Sequence, residues 1–249
     1  MRADETPVTG TSTLLALDEL TIAYNDGAIT AVDGVTLHVP SSQVLGLLGG
    51  NGAGKTSTMK AIAGVLPPTS GTLHIDGLNL GDAREADRAR SLLGYCPDTG
   101  GLIRQATVRE HVAVVLSLRS EHNQWVDALD LVHEFGLSEV LDRPTSGFSH
   151  GMSRRLSVLL AALSAEKVLI LDEPFDGVDP TGVSATEAVI SRAVAAGLAV
   201  VVSTHLLPLL VGVSDRIAVM VAGNIVDDSP SSTYTGKAGQ ARYAKLLTR

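Results

Sequence analysis

Between Leu14 and Val39 apolar and polar residues alternate around Asn25-Asp26-Gly27, a period of two broken by a strong turn signal. That pattern predicts a pair of antiparallel strands. Gln43 to Gly49 is a short apolar run ending in glycines, and Lys55 to Gly64 follows with helical spacing before Pro67-Pro68, giving a strand, a glycine loop and a helix. Thr72 to Asp76 reads as a further strand, and the charged run Asp82 to Arg90 as a solvated helix face. From Thr107 to about Ala165 the spacing is helical, in three stretches: Val108 to Leu118, Gln124 to Phe135 and Ser149 to Leu163. Strand and helix then alternate again. Val168 to Leu171, Ala199 to Ser203 and Arg216 to Ala222 are buried strands around a helix over Thr181 to Ala196, and Tyr234 to Leu247 is a closing helix. The expected fold class is therefore α/β with a mostly parallel sheet, an antiparallel portion at the start and a helical insert in the middle.

Ala193 to Ser214 has no charged residue and is long enough to be tested as a membrane span. Gly197, the polar trio Ser203, Thr204 and His205, and Pro208 interrupt it, so a strand followed by a helix is the better expectation. Any meeting with a membrane is then expected through a partner. Residues 1–13 are polar with no apolar segment, which predicts a mobile tail and no signal peptide.

Composition narrows the picture in three ways. A hydrophobic fraction of 45% with only 3% aromatic residues implies a core of Val, Leu, Ile and Ala, the composition of a helix-covered parallel sheet. A formal net charge of −8 argues against a nucleic-acid partner, which needs a surplus of Lys and Arg on one face. Cys96 is the single cysteine, so neither an intrachain disulfide nor a cysteine-based zinc cluster is possible.

The chemistry begins with Gly49-Gly50-Asn51-Gly52-Ala53-Gly54-Lys55-Thr56, which has the spacing of a phosphate-binding loop and sits between a predicted strand and a predicted helix. Its glycines let backbone N–H groups turn toward phosphate oxygens, and the helix adds its positive dipole end. Lys55 is expected to reach the outer phosphates, Thr56 to give a hydroxyl to Mg2+, and Ser57 to add a hydrogen bond. Val168-Leu169-Ile170-Leu171-Asp172-Glu173 is an apolar strand that delivers two carboxylates to its C-terminal end, where ligands sit in open α/β sheets. Asp172 is expected to hold Mg2+ and Glu173 to orient and deprotonate the attacking water. An acidic pair at a strand end caps a following helix about as often as it serves catalysis; beside a phosphate loop the catalytic reading gains.

With these motifs the chain resembles the nucleotide-binding domain of ABC transporters over most of residues 14–228. Tyr24 matches the aromatic that stacks on adenine, Gly49 to Ser57 the Walker A loop, and Asp172 with Glu173 the Walker B motif and catalytic base. Phe148-Ser149-His150-Gly151-Met152 matches the signature sequence, Gly177-Val178-Asp179 the D-loop, and His205 the switch histidine. Taken singly, Tyr24 reads as a half-buried strand aromatic, His205 as a strand-end histidine and Ser149 as a helix N-cap; their shared order favours the site reading.

The resemblance implies a P-loop NTPase fold: a RecA-like, mostly parallel sheet, an antiparallel β subdomain and a helical subdomain inserted at about 98–165. Residues 229–249 are then a C-terminal helical extension. It also implies ATP and Mg2+ as ligands and a head-to-tail dimer in which Ser149 and Gly151 contact the γ-phosphate held by the opposite subunit. That dimer pairs either two copies or this chain with another ATP-binding subunit. A separate transmembrane permease subunit would hold it at the cytoplasmic face of the cell membrane. Gly94-Tyr95-Cys96-Pro97 and Gly151-Met152-Ser153-Arg154-Arg155-Leu156 resemble exporters of the drug, lipid and polysaccharide type. A soluble, non-transporting ATPase with a regulatory or assembly role is the competing expectation.

The chain departs from the family at two points. Asp98 stands where a glutamine normally touches Mg2+ and the attacking water; a carboxylate can still ligate Mg2+ but cannot donate a hydrogen bond. His150 replaces the first glycine of the signature, where backbone usually approaches the partner's nucleotide. Both changes predict slow hydrolysis or a better preserved partner subunit, while Glu173 and His205 predict that catalysis persists.

Overall fold

The computed structural model describes residues 12–25, 27–118 and 126–247. Most of the predicted tail, Asp26 of the turn, and Gln124 and Trp125 lie outside the described residues. The hairpin expected from alternation is present as β1 (Thr13–Tyr24) and β2 (Ile29–Pro40), paired antiparallel with Leu17 opposite Leu37 and Ile22 opposite Val32. With β4 (Ser70–Ile75) and the two-residue β5 (Leu78–Asn79) these make a four-stranded antiparallel sheet in the order β2-β1-β4-β5.

The second sheet has six strands: β10 (Asn224–Pro230), β9 (Arg216–Val221), β3 (Val44–Leu48), β8 (Ala199–Thr204), β7 (Val168–Asp172) and β6 (Leu93–Cys96), in that spatial order. Its strands are parallel except β10, which pairs antiparallel with β9 at the edge. The central strands are apolar until their C-terminal ends, where β7 carries Asp172 and β8 Ser203 and Thr204, because both of their faces are covered. Side-chain alternation divides each strand between two cores: Leu45, Leu47, Ile170, Val201 and Ala218 face the β1–β2–β4 sheet, while Leu48, Leu171, Val202 and Val219 face the helices.

Two helices position the chemistry. The α1 helix (Lys55–Ile62) leaves the glycine loop after β3, and α5 (His150–Ser164) packs on β6. That packing is close: a Cβ at Gly94 would meet the Ala161 carbonyl oxygen at 2.0 Å, so only glycine lets the strand lie against this helix. Leu156, Leu159 and Leu163 of α5 are buried in the helical core, and truncating any of them to Ala is expected to cost about 2–5 kcal/mol.

The helical insert consists of α3 (Val108–Leu118), α4 (Ala128–Glu134) and α5, with short 3-10 turns at Ser138–Val140 and Thr145–Gly147. The charged run yields only the six-residue α2 (Ala86–Ser91). The uncharged stretch divides as expected among the end of α6 (Pro180–Ala195), β8 and α7 (Leu207–Val213), and no helix of the described residues is long and apolar enough to cross a membrane. The closing helix is α8 (Gly236–Leu246), preceded by a 3-10 turn at Ser231–Tyr234. β10 had no apolar signature to announce it, and it runs through position 228, where sequence reading ends the cassette.

Candidate active site

The loop from Gly49 to Gly54 owes its path to glycine. Gly52 and Gly54 have φ of +78° and +108°, and a Cβ at Gly54 would lie 2.3 Å from the Ala31 carbonyl oxygen. Gly54 is the N-cap of α1, whose first N–H groups have no acceptor within the helix and so remain available to an anion. Lys55, only 5% exposed, folds its side chain back over the loop: Nζ donates to the carbonyls of Gly49 (2.8 Å) and Gly50 (3.3 Å) and pairs with Glu173 Oε1 at 3.2 Å.

At the end of β7, Asp172 is fully buried and Glu173 turns out of the strand with φ of +48°, a conformation that side-chain-bearing residues adopt at a cost and that aims this one into the cavity. Ser203, directly across the sheet in register with Asp172, holds both. Its hydroxyl donates to Asp172 Oδ1 at 2.5 Å and accepts the Glu173 N–H at 3.0 Å. Glu173 Oε2 lies 3.2 Å from His205 Nδ1. Burial pushes the Asp172 carboxyl up, the hydroxyls of Ser203 and Thr56 pull it back, and the carboxylates of Asp98 and Glu173 add to the rise.

Beside them lies a cavity of about 450 Å³, lined by residues 50–57 of the loop together with Ala31, Asp98, Glu173, Asp176 and His205, while the fully buried Asp172 does not line it. The structure therefore brings Asn51, Gly52, Ala53, Gly54, Lys55, Thr56, Ser57, Asp98, Glu173 and His205 around one space. Gly49 sits at its base through its carbonyl on Lys55. Tyr24, 37% exposed, does not line the cavity; its hydroxyl shares a 3.0 Å hydrogen bond with Ser57 Oγ at the rim.

Ser149 and Gly151 stand outside this cavity. Ser149 is the N-cap of α5 and accepts from the Met152 N–H at 3.2 Å, and Gly151 lies against the D-loop, where a Cβ would meet the Gly177 carbonyl oxygen at 2.6 Å. His150 covers Gly177 and reaches Asp176 Oδ2 at 3.2 Å. Asp179 caps α6 through the Gly182 N–H.

Among the described residues, one carboxylate oxygen, Asp172 Oδ2, is buried without a hydrogen-bond partner of ordinary geometry. An acceptor left this way in a site whose nearby oxygens include the hydroxyl of Thr56 and the carboxylate of Asp98 fits Mg2+, which takes hard oxygen ligands and keeps several waters. Cys96 has no such part: burial pushes its thiol up to about 12, which leaves it inert.

Comparison with known proteins shows the family. A family model described as ABC transporter matches residues 32–176, more than half of the chain, from β2 through the phosphate loop to the acidic pair. The chain belongs to the ABC transporter family. Among ABC relatives, the lipopolysaccharide export system ATP-binding protein LptB of Haemophilus influenzae is 32% identical over 86% of this chain and 89% of that protein. ATP-binding cassette sub-family A member 7 of Mus musculus is 33% identical over 94% of this chain, which spans only 11% of that much longer protein. A solved structure described as the ATP binding subunit of an ABC transporter superposes with a TM-score of 0.85 at 27% identity, over 95% of this chain and all of that one. The chain is thus an ABC ATP-binding subunit with ATPase activity, built on the P-loop NTPase fold.

Four residues escaped sequence reading: Ala31 and Asp176 line the cavity, and Ser203 and Arg154 support its walls without lining it. Ser203 had one available signal, a hydroxyl at the end of an apolar strand, and its pairing with Asp172 is visible only in the sheet register. Arg154 is 4% exposed on α5 and donates to the backbone of Pro97, Asp98 and Asp172; its signal was a cation on the apolar face of a helix.

Proposed function

We propose that this ABC ATPase closes on ATP as a head-to-tail dimer and drives a separate transmembrane permease subunit at the cytoplasmic face of the membrane, in the direction of export. The observation that carries the reading is the division of the motifs: the phosphate loop, Glu173 and His205 share a cavity, while Ser149 and Gly151, at the start of α5, lie outside it. A second subunit completes each site by bringing its own Ser149 and Gly151 to the outer phosphate.

Within one site, Lys55 and the loop N–H groups bind the phosphates, and Tyr24 stacks on the adenine. Thr56, Asp172 and Asp98 would hold Mg2+, which would supply positive charge to neutralise phosphate oxygens. Glu173 Oε1 lies 3.2 Å from Lys55 Nζ, which places the base beside the lysine that binds the phosphates, and Glu173 accepts a proton from the attacking water. His205 keeps Glu173 oriented through its 3.2 Å contact. Asp98 accepts but cannot donate, so it orients that water less well than an amide would, which supports slow turnover.

Export rests on the resemblance of the segments around Tyr95 and Arg154 and on a relative named for lipopolysaccharide export. Pairing with a better preserved ATPase subunit is favoured by two observations: Asp98 lines the cavity, and His150 covers the D-loop glycine. The test is purification of tagged Glu173→Gln protein from native membranes in mild detergent with ATP, followed by mass spectrometry. A polytopic membrane protein in stoichiometric amount is expected. A second ATPase beside it makes the pair asymmetric, and recovery of soluble partners alone overturns the transport reading.

A further inference from the structure

We infer that Arg154 is a positioning residue for ATP hydrolysis, acting through Asp98 and tying the signature helix to the end of the Walker B strand. This rests on the reading of the 450 Å³ cavity as the ATP site. The guanidinium is buried, and each of its terminal nitrogens serves two acceptors. Nη1 donates to the Pro97 carbonyl at 2.6 Å and the Asp172 carbonyl at 3.3 Å; Nη2 donates to the Asp98 carbonyl and to Asp98 Oδ1 at 3.3 Å.

A buried cation is costly, and on the inner face of α5 a leucine or methionine would fill the same space without that cost. The fork geometry gives the cation a purpose that packing does not. A rigid planar group fixes three backbone carbonyls, two after β6 and one at the end of β7, at a set spacing. Arg154 does not line the nucleotide cavity. It lines a cleft of about 130 Å³ beside His150 and Ser153, and Asp98 is the wall that the two spaces share. Arg154 holds Oδ1 of the same Asp98 that lines the nucleotide cavity, so the guanidinium bears on a wall of that cavity without entering it. Where the usual glutamine is missing, Arg154 keeps its replacement in working position. Because Arg154 lies five residues beyond Ser149 on the same chain segment, movement of the start of α5 on dimer closure carries Asp98 with it.

The test is a double-mutant cycle on the full chain with Arg154→Gln, Asp98→Ala and both together. It measures kcat, KM for ATP, the half-saturating Mg2+ concentration and Tm. Arg154→Gln is expected to lower kcat about 20-fold and raise the Mg2+ requirement, with KM for ATP within about threefold of wild type; in the Asp98→Ala background the same change should move kcat less than about twofold. Arg154→Lys, which keeps a cation without the fork, should recover only part of the loss, and it carries the same cycle if the glutamine variant does not fold. An equal fall in kcat in both backgrounds, or no fall in either, overturns the inference. Failure of the underlying reading shows separately: Lys55→Ala protein that still binds ATP with wild-type affinity puts the nucleotide elsewhere, whatever the cycle gives.

Discussion

Two aspartates, one at each end of the chemistry of this fold, are treated in opposite ways. Asp227, in β10, is fully provided for: Tyr234 donates to Oδ2 and Arg242 to Oδ1, and the Arg242 guanidinium lies 5.8 Å from the centre of the Tyr234 ring. Burial would raise Asp227, but hydrogen bonds from Tyr234, Ser229 and Arg242 outweigh it and hold the carboxyl below its ordinary range. Asp172, at the end of β7, accepts at Oδ1 from Ser203, has only the pull of the Thr56 hydroxyl besides, and is held above the ordinary range by burial. A carboxylate whose acceptors are all satisfied fastens structure; one left half satisfied in the interior is suited to a cation. The C-terminal anchor stabilises the fold, and the strand end gives up stability for function.

The largest effect that would sharpen this contrast is at the neighbour of Asp172. Glu173→Gln should lower kcat by about 10³-fold while leaving an ATP-bound dimer detectable by size-exclusion chromatography, because the amide keeps the shape and loses the base. Next, Asp172→Asn should reduce Mg2+-dependent hydrolysis by roughly 10²-fold or more and leave Tm unchanged or higher. The sign follows from the raised carboxyl: a group held above its unfolded value subtracts stability once pH exceeds that value, and the amide removes the charge. A marked fall in Tm for Asp172→Asn would place this aspartate with the structural ones and break the comparison.

Asp227→Asn should do the reverse, costing about 2 kcal/mol in urea unfolding at neutral pH with kcat within about twofold of wild type. Because Asp227 is depressed, its contribution is present above the ordinary aspartate value and is lost as pH falls through the folded value, so wild type and variant should converge in strong acid. The smallest effects are gains. Asp98→Gln and His150→Gly are each expected to raise ATP turnover by about two- to fivefold, the first by restoring an amide donor and the second by uncovering Gly177. Unchanged turnover in Asp98→Gln would remove the missing amide as the cause of slow hydrolysis.

Much of this was legible before any coordinates. The glycine spacing of residues 49–54, the lysine and threonine after it, and an apolar strand ending in Asp172-Glu173 are local patterns, and local patterns are what steric and hydrogen-bonding rules act on directly. The helices α3 and α5 and the strands β7, β8 and β9 followed for the same reason, since burial on one or two faces writes a period into the sequence. β10 did not follow: an edge strand with Asp227-Asp228 in its middle tolerates polar residues and so carries no apolar period.

What the sequence by itself determined was the inventory of reactive groups and the type of element that bears each. Tertiary structure alone decided which groups meet. Arg154 reaches Asp98 across 56 residues, Ser203 holds Asp172 across 31, and Ser149 and Gly151 are kept out of the cavity that their own chain builds. The physical reason is that these contacts are set by sheet register, by the close seat of α5 on Gly94 and by the directions of buried side chains. Each of those properties belongs to packed elements together and has no counterpart in any short stretch of the chain.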